Sequence, residues 1–207
     1  PHLESGNIEK VAEQARKVSR ELKPLIDEGY DILALTASCG LMLKFEWPLI
    51  LPEDEYVKAL AQATFDIDEY VVDIAKKEGL ADGLKPVDGG VTAHLACHAR
   101  AQNMGPKSAE MMRLIPDTKV DVVERCSGHG GTFGVMKETF DLAMKVGKTA
   151  ARNVAKTENK YVTSDCPLAA KHLVHEIETL NGESEAKPLP KAHHPIEIMA
   201  RAYGLID

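Results

Sequence analysis

Nowhere does the sequence hold a run near the roughly 18 consecutive apolar residues that a membrane-spanning helix requires, so no intrinsic membrane segment is expected. A basic excess is missing too. With 25 Lys and Arg against 32 Asp and Glu, the net charge is -7, which argues against a nucleic-acid partner, since such partners select a basic face. Cysteine is scarce: four residues, none in a close pair. That is not the framework of a disulfide-stapled secreted domain. It points to a reducing, cytoplasmic setting in which thiols are kept for metal binding or catalysis. An initiating methionine is absent as well, Pro1 standing first, and a fragment or processed product is expected. What is present suits a folded soluble protein: 44% apolar residues are ample for a core, and 28% charged residues are ordinary.

The apolar pattern alternates between two periods. Residues 7–28 read as an amphipathic helix, with Ile8, Val11, Ala12, Ala15, Val18, Leu22 and Leu25 on one stripe. Asn7 or Ser5 can cap it, and Gly29 ends it. Ile32-Leu33-Ala34-Leu35 then reads as a short buried strand, followed by Cys39, Gly40 and a second helix from about Leu41. The same grammar returns as a helix over 134–155 with Met136, Phe140, Ala143 and Val154 inward, a strand at Tyr161–Thr163, then Cys166 and a Pro167-started helix. Gly6 to Cys39 spans 33 positions and Gly134 to Cys166 spans 32. Closing segments match as well: Phe65-Asp66-Ile67-Asp68-Glu69 through Gly79-Leu80, and His194-Pro195-Ile196-Glu197 through Gly204-Leu205. Residues 1–80 thus align with about 129–207, while 81–128 have no counterpart. The expectation is one and a half repeats, a full first copy needing about fifty further residues upstream.

Strands alternating with helices imply parallel pairing, right-handed crossovers and ligands at the carboxyl ends of the strands. Cys97 follows Val91-Thr92-Ala93-His94-Leu95-Ala96, Cys126 follows Val122-Val123-Glu124-Arg125, and Cys166 follows Tyr161-Val162-Thr163-Ser164-Asp165. Three thiols at strand exits are the means by which a fold brings distant sulfurs to one place. Cys39 and Cys166 also open helices, where the positive end of the dipole favours thiolate.

The segments His94-Leu95-Ala96-Cys97-His98-Ala99-Arg100-Ala101-Gln102-Asn103, Arg125-Cys126-Ser127-Gly128-His129-Gly130-Gly131 and Thr163-Ser164-Asp165-Cys166-Pro167 resemble the cysteine-rich "CCG" domain family. Iron–sulfur subunits of heterodisulfide reductase and of anaerobic glycerol-3-phosphate dehydrogenase belong to that family, whose pattern is Cys … Cys-Cys-Gly … Cys-x-x-Cys, usually present twice. The resemblance covers essentially the whole chain, with Pro1–Gly6 resembling the stretch just after a first copy's Cys-Cys-Gly. It implies an α/β fold of two related Rossmann-like units with parallel sheets and a pseudo-twofold repeat, 1–80 being the C-terminal half of the first and 81–207 the complete second. Ser127 stands where the pattern has the second cysteine of its pair, Ala169 where it has the last cysteine, and Thr36 replaces a cysteine of the first copy. Three of five ligands remain in the second copy. Relatives with all five are associated with a non-cubane 4Fe–4S cluster.

The expected metal ligands are therefore Cys97, Cys126 and Cys166. His129 leads for the fourth position, ahead of His98 and His94, and Cys39 is either a further ligand or an orphan thiol. Gly128, Gly130 and Gly131 read as a cofactor-binding turn whose amides approach cluster sulfurs rather than as a nucleotide loop, because their spacing fits neither nucleotide fingerprint. Arg100, Gln102 and Lys137 stand near an anionic substrate or partner, or on solvated surface. His193-His194 reads as a cap or surface site, and Met111-Met112 with Leu114-Ile115 as core. The function expected is an iron–sulfur electron-transfer subunit of an oxidoreductase. It would work between a flavoprotein or ferredoxin-type partner and a quinone or disulfide acceptor, cytoplasmic or held at the inner face of the membrane through partners. A structural zinc module, and a thiol enzyme using Cys126 or Cys166, stay open as alternatives.

Overall fold

The computed structural model describes residues 2–181 and 188–206; Pro1 lies outside them. Among the described residues six strands form two sheets, and every pairing is parallel. The smaller sheet pairs β1 (Ile32–Ala34) with β2 (Thr64–Asp66). In the larger, β3 (Val91–His94) is flanked by β4 (Val120–Val123) and β5 (Tyr161–Ser164), and β6 (Lys191–His193) extends it beyond β5. The fold is α/β, as the alternating pattern implies.

Helices supply the crossovers. Helix α1 (Ile8–Asp27) starts on Asn7, whose side chain accepts from the Lys10 N–H at 3.2 Å. Its stripe buries Val11, Ala15 and Ser19 but leaves Ile8 and Leu25 more than two-fifths exposed, so the apolar face is narrower than the sequence suggests. Past β1 the chain is continuously helical, through α2 (Ala37–Leu41), a π-helical stretch Met42–Glu46 and α3 (Trp47–Ile50). Cys39 and Gly40 lie inside α2 instead of ahead of it. Helix α4 (Glu55–Ala63) is capped by Asp54, which accepts from the Tyr56 and Val57 amides. Helix α5 (Ile67–Lys77) is capped by Asp66.

Two short helices, α6 (Cys97–Ala101) and α7 (Lys107–Met112), join β3 to β4. Helix α8 (Phe140–Thr157) precedes β5, α9 (Pro167–Asn181) follows it, and α10 (Pro195–Ala202) follows β6. The order helix–strand–helix–strand–helix thus occurs in 8–77 and again in 140–202. Helix α8 begins at Phe140, not near 134, and Met136 is half exposed, because the preceding glycine-rich segment turns back on itself.

The larger sheet is covered on both faces, so β3 and β5 are buried along their whole length, as two-sided coverage demands. On one face Val91, Met111, Met112, Ile115, Tyr161 and Ile198 pack together; on the other Val123, Ala151, Val154, Val162, Leu173 and Ile177. Val72 of α5 joins the first cluster, tying the smaller unit to the larger. The β1–β2 pair has one covered face only: Val11, Ala15, Trp47, Val57 and Leu60 pack beside it, while Leu33 is 40% exposed. β1 is therefore not the fully buried strand that its apolar run suggests.

Candidate metal and thiol centre

Register places the thiols. His94, the last residue of β3, pairs with Val123 on one side and Ser164 on the other, so the three strands end level. Cys97, Cys126 and Cys166 follow those ends within three residues, on neighbouring strands spaced about 4.8 Å apart. The smaller sheet brings its own carboxyl end to the same place. The Ala37 N–H donates to the Asp165 carbonyl at 3.0 Å, and Ala37, Ala96 and Ala99 pack with Cys166 against them. All four thiols are free; Cys39, Cys97 and Cys126 are exposed and Cys166 half-buried. Among the described residues, no three His, Cys, Asp or Glu side chains gather closely enough to hold a metal ion.

Each thiol has a distinct environment. The Cys97 sulfur lies 3.9 Å from Nδ1 of His98, and that hydrogen bond pushes the thiol pKa down while raising that of His98. The Cys126 sulfur accepts from the Gly128 N–H at 3.4 Å. Cys166 precedes α9, with the Ala169 and Ala170 amides donating to its carbonyl. Burial nonetheless pushes its thiol up, with neighbouring amides pulling the other way. At Cys166 desolvation outweighs the amides at the start of α9.

Residues 91–172 match the model of the cysteine-rich (CCG) domain family. The matched segment contains Cys97, Cys126 and Cys166 and leaves out Cys39. Over almost the whole chain, homologues include a subunit of the anaerobic glycerol-3-phosphate dehydrogenase of Escherichia coli (24% identical, 98% of this chain and 48% of the relative) and a subunit of the fumarate reductase (CoM/CoB) of Methanothermobacter marburgensis (28%, 99% and 38%). A subunit of the dihydromethanophenazine:CoB–CoM heterodisulfide reductase of Methanosarcina acetivorans is 27% identical over 84% of this chain and 41% of its own. The chain spans about half the length, or less, of these curated relatives.

Within the CCG segment, the turn after Cys126 lies flat on α8. A Cβ at Gly128, where φ is +79°, would collide with the Ala143 carbonyl oxygen, and one at Gly147 with the Ser127 carbonyl. Gly134 is held as closely against the His129 backbone. Gly130 and Gly131 also take positive φ, and Thr132 beside them donates to Glu4 at 3.2 Å. Gly128 thus serves close backbone packing as well as the sulfur contact.

The histidines separate by role. His94 has both ring nitrogens engaged, by the Arg125 carbonyl (2.8 Å) and the Ser164 hydroxyl (3.1 Å), so it is not available as a ligand. His129 is 6% exposed, its ring 6.2 Å from that of His172, and burial and then His172 push its pKa down. His172 and Glu176, both buried on α9, were not legible as site residues; only their i,i+4 spacing hinted at a shared face. His194 caps α10, accepting from the Ile196 N–H at 3.2 Å, with Glu197 completing a capping box. His193 packs on Tyr161.

A buried polar cluster fills the junction between the sheets. Asp66, Asp68 and Asp165 are each at most 2% exposed. Burial, with Asp165 adding, pushes Asp66 up to about 6. Asp68 lies well above the usual carboxylate range because it is desolvated and stands beside the Asp165 and Asp66 carboxyls. Gln102 belongs to this cluster, donating to the Ala37 carbonyl (3.2 Å) and to Asp66 (3.1 Å); it is 3% exposed and cannot meet a substrate from solvent. Arg100 pairs with Glu124 at 2.8 Å, and Lys137 is exposed. A cavity of about 250 Å3 between α6 and α7 is lined by Arg100, Asn103, Lys107, Ser108, Glu124 and Asp165.

Proposed function

We propose that this chain is a redox subunit, with Cys97, Cys126 and Cys166 as ligands of an iron–sulfur cluster and His129 as the leading further donor. The observation that carries the reading is the placement of three thiols just past the level ends of three neighbouring parallel strands, one sulfur already accepting a backbone N–H. Soft thiolates suit iron, and amide hydrogen bonds and burial tune the potential of such a group. The donor chemistry therefore fits, although no ligand cage is assembled among the described residues. A bound cluster would supply one-electron transfer. The chain's own contribution is to supply sulfurs, exclude water on the Cys166 side and set local hydrogen bonding.

Curated names support the reading: relatives are subunits of a glycerol-3-phosphate dehydrogenase, a fumarate reductase and a heterodisulfide reductase, and another, from Methanocaldococcus jannaschii, is an iron–sulfur protein. By that analogy electrons enter from a flavoprotein or ferredoxin-type partner and leave to a quinone or disulfide. No described helix is long and apolar enough to cross a membrane, so attachment to the inner face of a membrane would run through partners of a cytoplasmic protein. The division into half a repeat (1–80) and a whole one (81–207) belongs to the same proposal, supported by the repeated element order.

A second reading has one observation in its favour. The Cys97–His98 contact suits thiol chemistry, and it favours Cys97 over Cys126 or Cys166 as nucleophile. Iron, zinc and acid-labile sulfide per chain, measured on anaerobically prepared protein, separate these cases. Iron with sulfide and an absorption band near about 400 nm is expected. Colourless protein carrying stoichiometric zinc would establish a structural zinc module instead, and a metal-free active thiol would favour the enzyme.

A further inference from the structure

His94 ends the central strand and is 1% exposed, and its hydrogen bonds have a definite direction. The Arg125 carbonyl can only accept, so Nε2 of His94 carries the hydrogen of that 2.8 Å bond. In the neutral ring Nδ1 is then an acceptor, and it takes the Ser164 hydroxyl hydrogen at 3.1 Å. Ser164 Oγ in turn accepts from the backbone N–H of Cys166 at 3.3 Å. One directed chain thus runs from the residue before Cys126, through the imidazole, to the amide of Cys166. β4 and β5 do not pair with each other, each lying beside β3. Among the described residues no backbone hydrogen bond outside the strand ladders joins 124–128 to 164–166.

We propose that His94 is a positioning residue that sets the spacing between the Cys126 and Cys166 thiols. Strand pairing fixes the ends of β4 and β5 only up to Val123 and Ser164, and beyond them the thiol-bearing turns could splay. The imidazole bridges them at the level where the ladders stop. It does so as a neutral, singly protonated ring: a second proton on Nδ1 would put a donor against the Ser164 hydroxyl, and burial disfavours the charge. The role rests on the reading of Cys126 and Cys166 as ligands of one centre, yet it belongs to the metal-free chain and is testable there.

The test uses the reduced, metal-free chain and dibromobimane, which must alkylate two neighbouring thiols to form a bridge. Peptide mapping identifies the bridged pair, and monobromobimane gives the rate of each thiol alone. Wild type should yield a Cys126–Cys166 bridge. His94→Leu should lower that yield about tenfold, the scale set by losing two neutral hydrogen bonds together, with single-thiol rates unchanged. His94→Gln, which keeps a donor and an acceptor, should recover most of it. Should His94→Leu not fold, Ser164→Ala carries the test with an expected loss of about tenfold as well, since it removes both hydrogen bonds that the Ser164 hydroxyl makes. The proposal is overturned by a wild type that forms no such bridge, by variants that bridge as well as wild type, or by single-thiol rates that rise in step with the loss. Iron measured on wild-type protein isolated anaerobically, before any metal is removed, separates the two readings. Bridging without iron removes the cluster and leaves the role of His94, whereas iron without bridging removes the role of His94.

Discussion

Replacing Asp66 with asparagine should make the chain more stable at neutral pH, by an amount that pH controls. The carboxyl is 1% exposed, and burial followed by Asp165 raises its pKa to about 6 against hydrogen bonds from Gln102 and the Asp68 amide and the charge of Lys44. In the unfolded chain an aspartate titrates near about 3.9. Between those values the folded state holds the proton and the unfolded state has lost it, so stability falls as pH rises through that window and stays low above it. A gap of about two units corresponds to about 3 kcal/mol. Asparagine removes that penalty and keeps the α5 cap, since its carbonyl oxygen can still take the Asp68 N–H. Its amide would oppose the Gln102 amide, a loss of about 1 kcal/mol that rotating Gln102 would limit. Urea unfolding of both proteins is the assay. The variant should be about 1 kcal/mol less stable near about pH 4 and about 2 kcal/mol more stable near about pH 7.5. A difference between the two proteins that stays constant across this range would refute the reasoning.

Two further outcomes follow from the thiol edge. Gly128→Ala should cost several kcal/mol or abolish folding, because the added Cβ meets the Ala143 carbonyl and lies 2.8 Å from the Gly147 nitrogen. Gly130→Ala, whose nearest neighbour is 3.6 Å away, should cost only the roughly 1–2 kcal/mol of its left-handed backbone; thermal or urea unfolding compares them. In metal-free protein near neutral pH, iodoacetamide should modify Cys97 before Cys166, since His98 lowers one thiol pKa and burial raises the other. His98→Ala should slow Cys97 severalfold by mass-spectrometric mapping, and equal rates at the two thiols would contradict the assignment.

The features that local sequence determines were legible in advance. Asn7 caps α1, Met111 and Met112 are core, and each thiol of the CCG segment sits at a strand exit, because caps, apolar periodicity and strand-to-helix turns depend on neighbours along the chain. The start of α8 was not legible: the six residues 134–139 of apparent helical pattern are consumed by a turn in which Gly128 answers to the α8 backbone. Gln102 looked solvent-facing because its partners, Ala37 and Asp66, come from the other sheet. His94 resembled a ligand until the parallel register supplied the Arg125 carbonyl and the Ser164 hydroxyl. At Cys166 burial, a tertiary quantity, pushes the thiol up against the amides of the following helix.

Parallel pairing throughout has a kinetic side. Val91 meets both Val120 and Tyr161, Tyr161 meets Lys191, and Ile32 meets Thr64, so no described strand is joined to its partner by a hairpin. Such contacts give high contact order and slow acquisition of the native state. During that interval the sulfurs are solvent-accessible and unrelated in space, so an oxidant present early could trap mispaired disulfides that the finished topology would never allow. Loading of any inorganic partner should accordingly follow chain collapse, and refolding under reductant should outperform refolding in air.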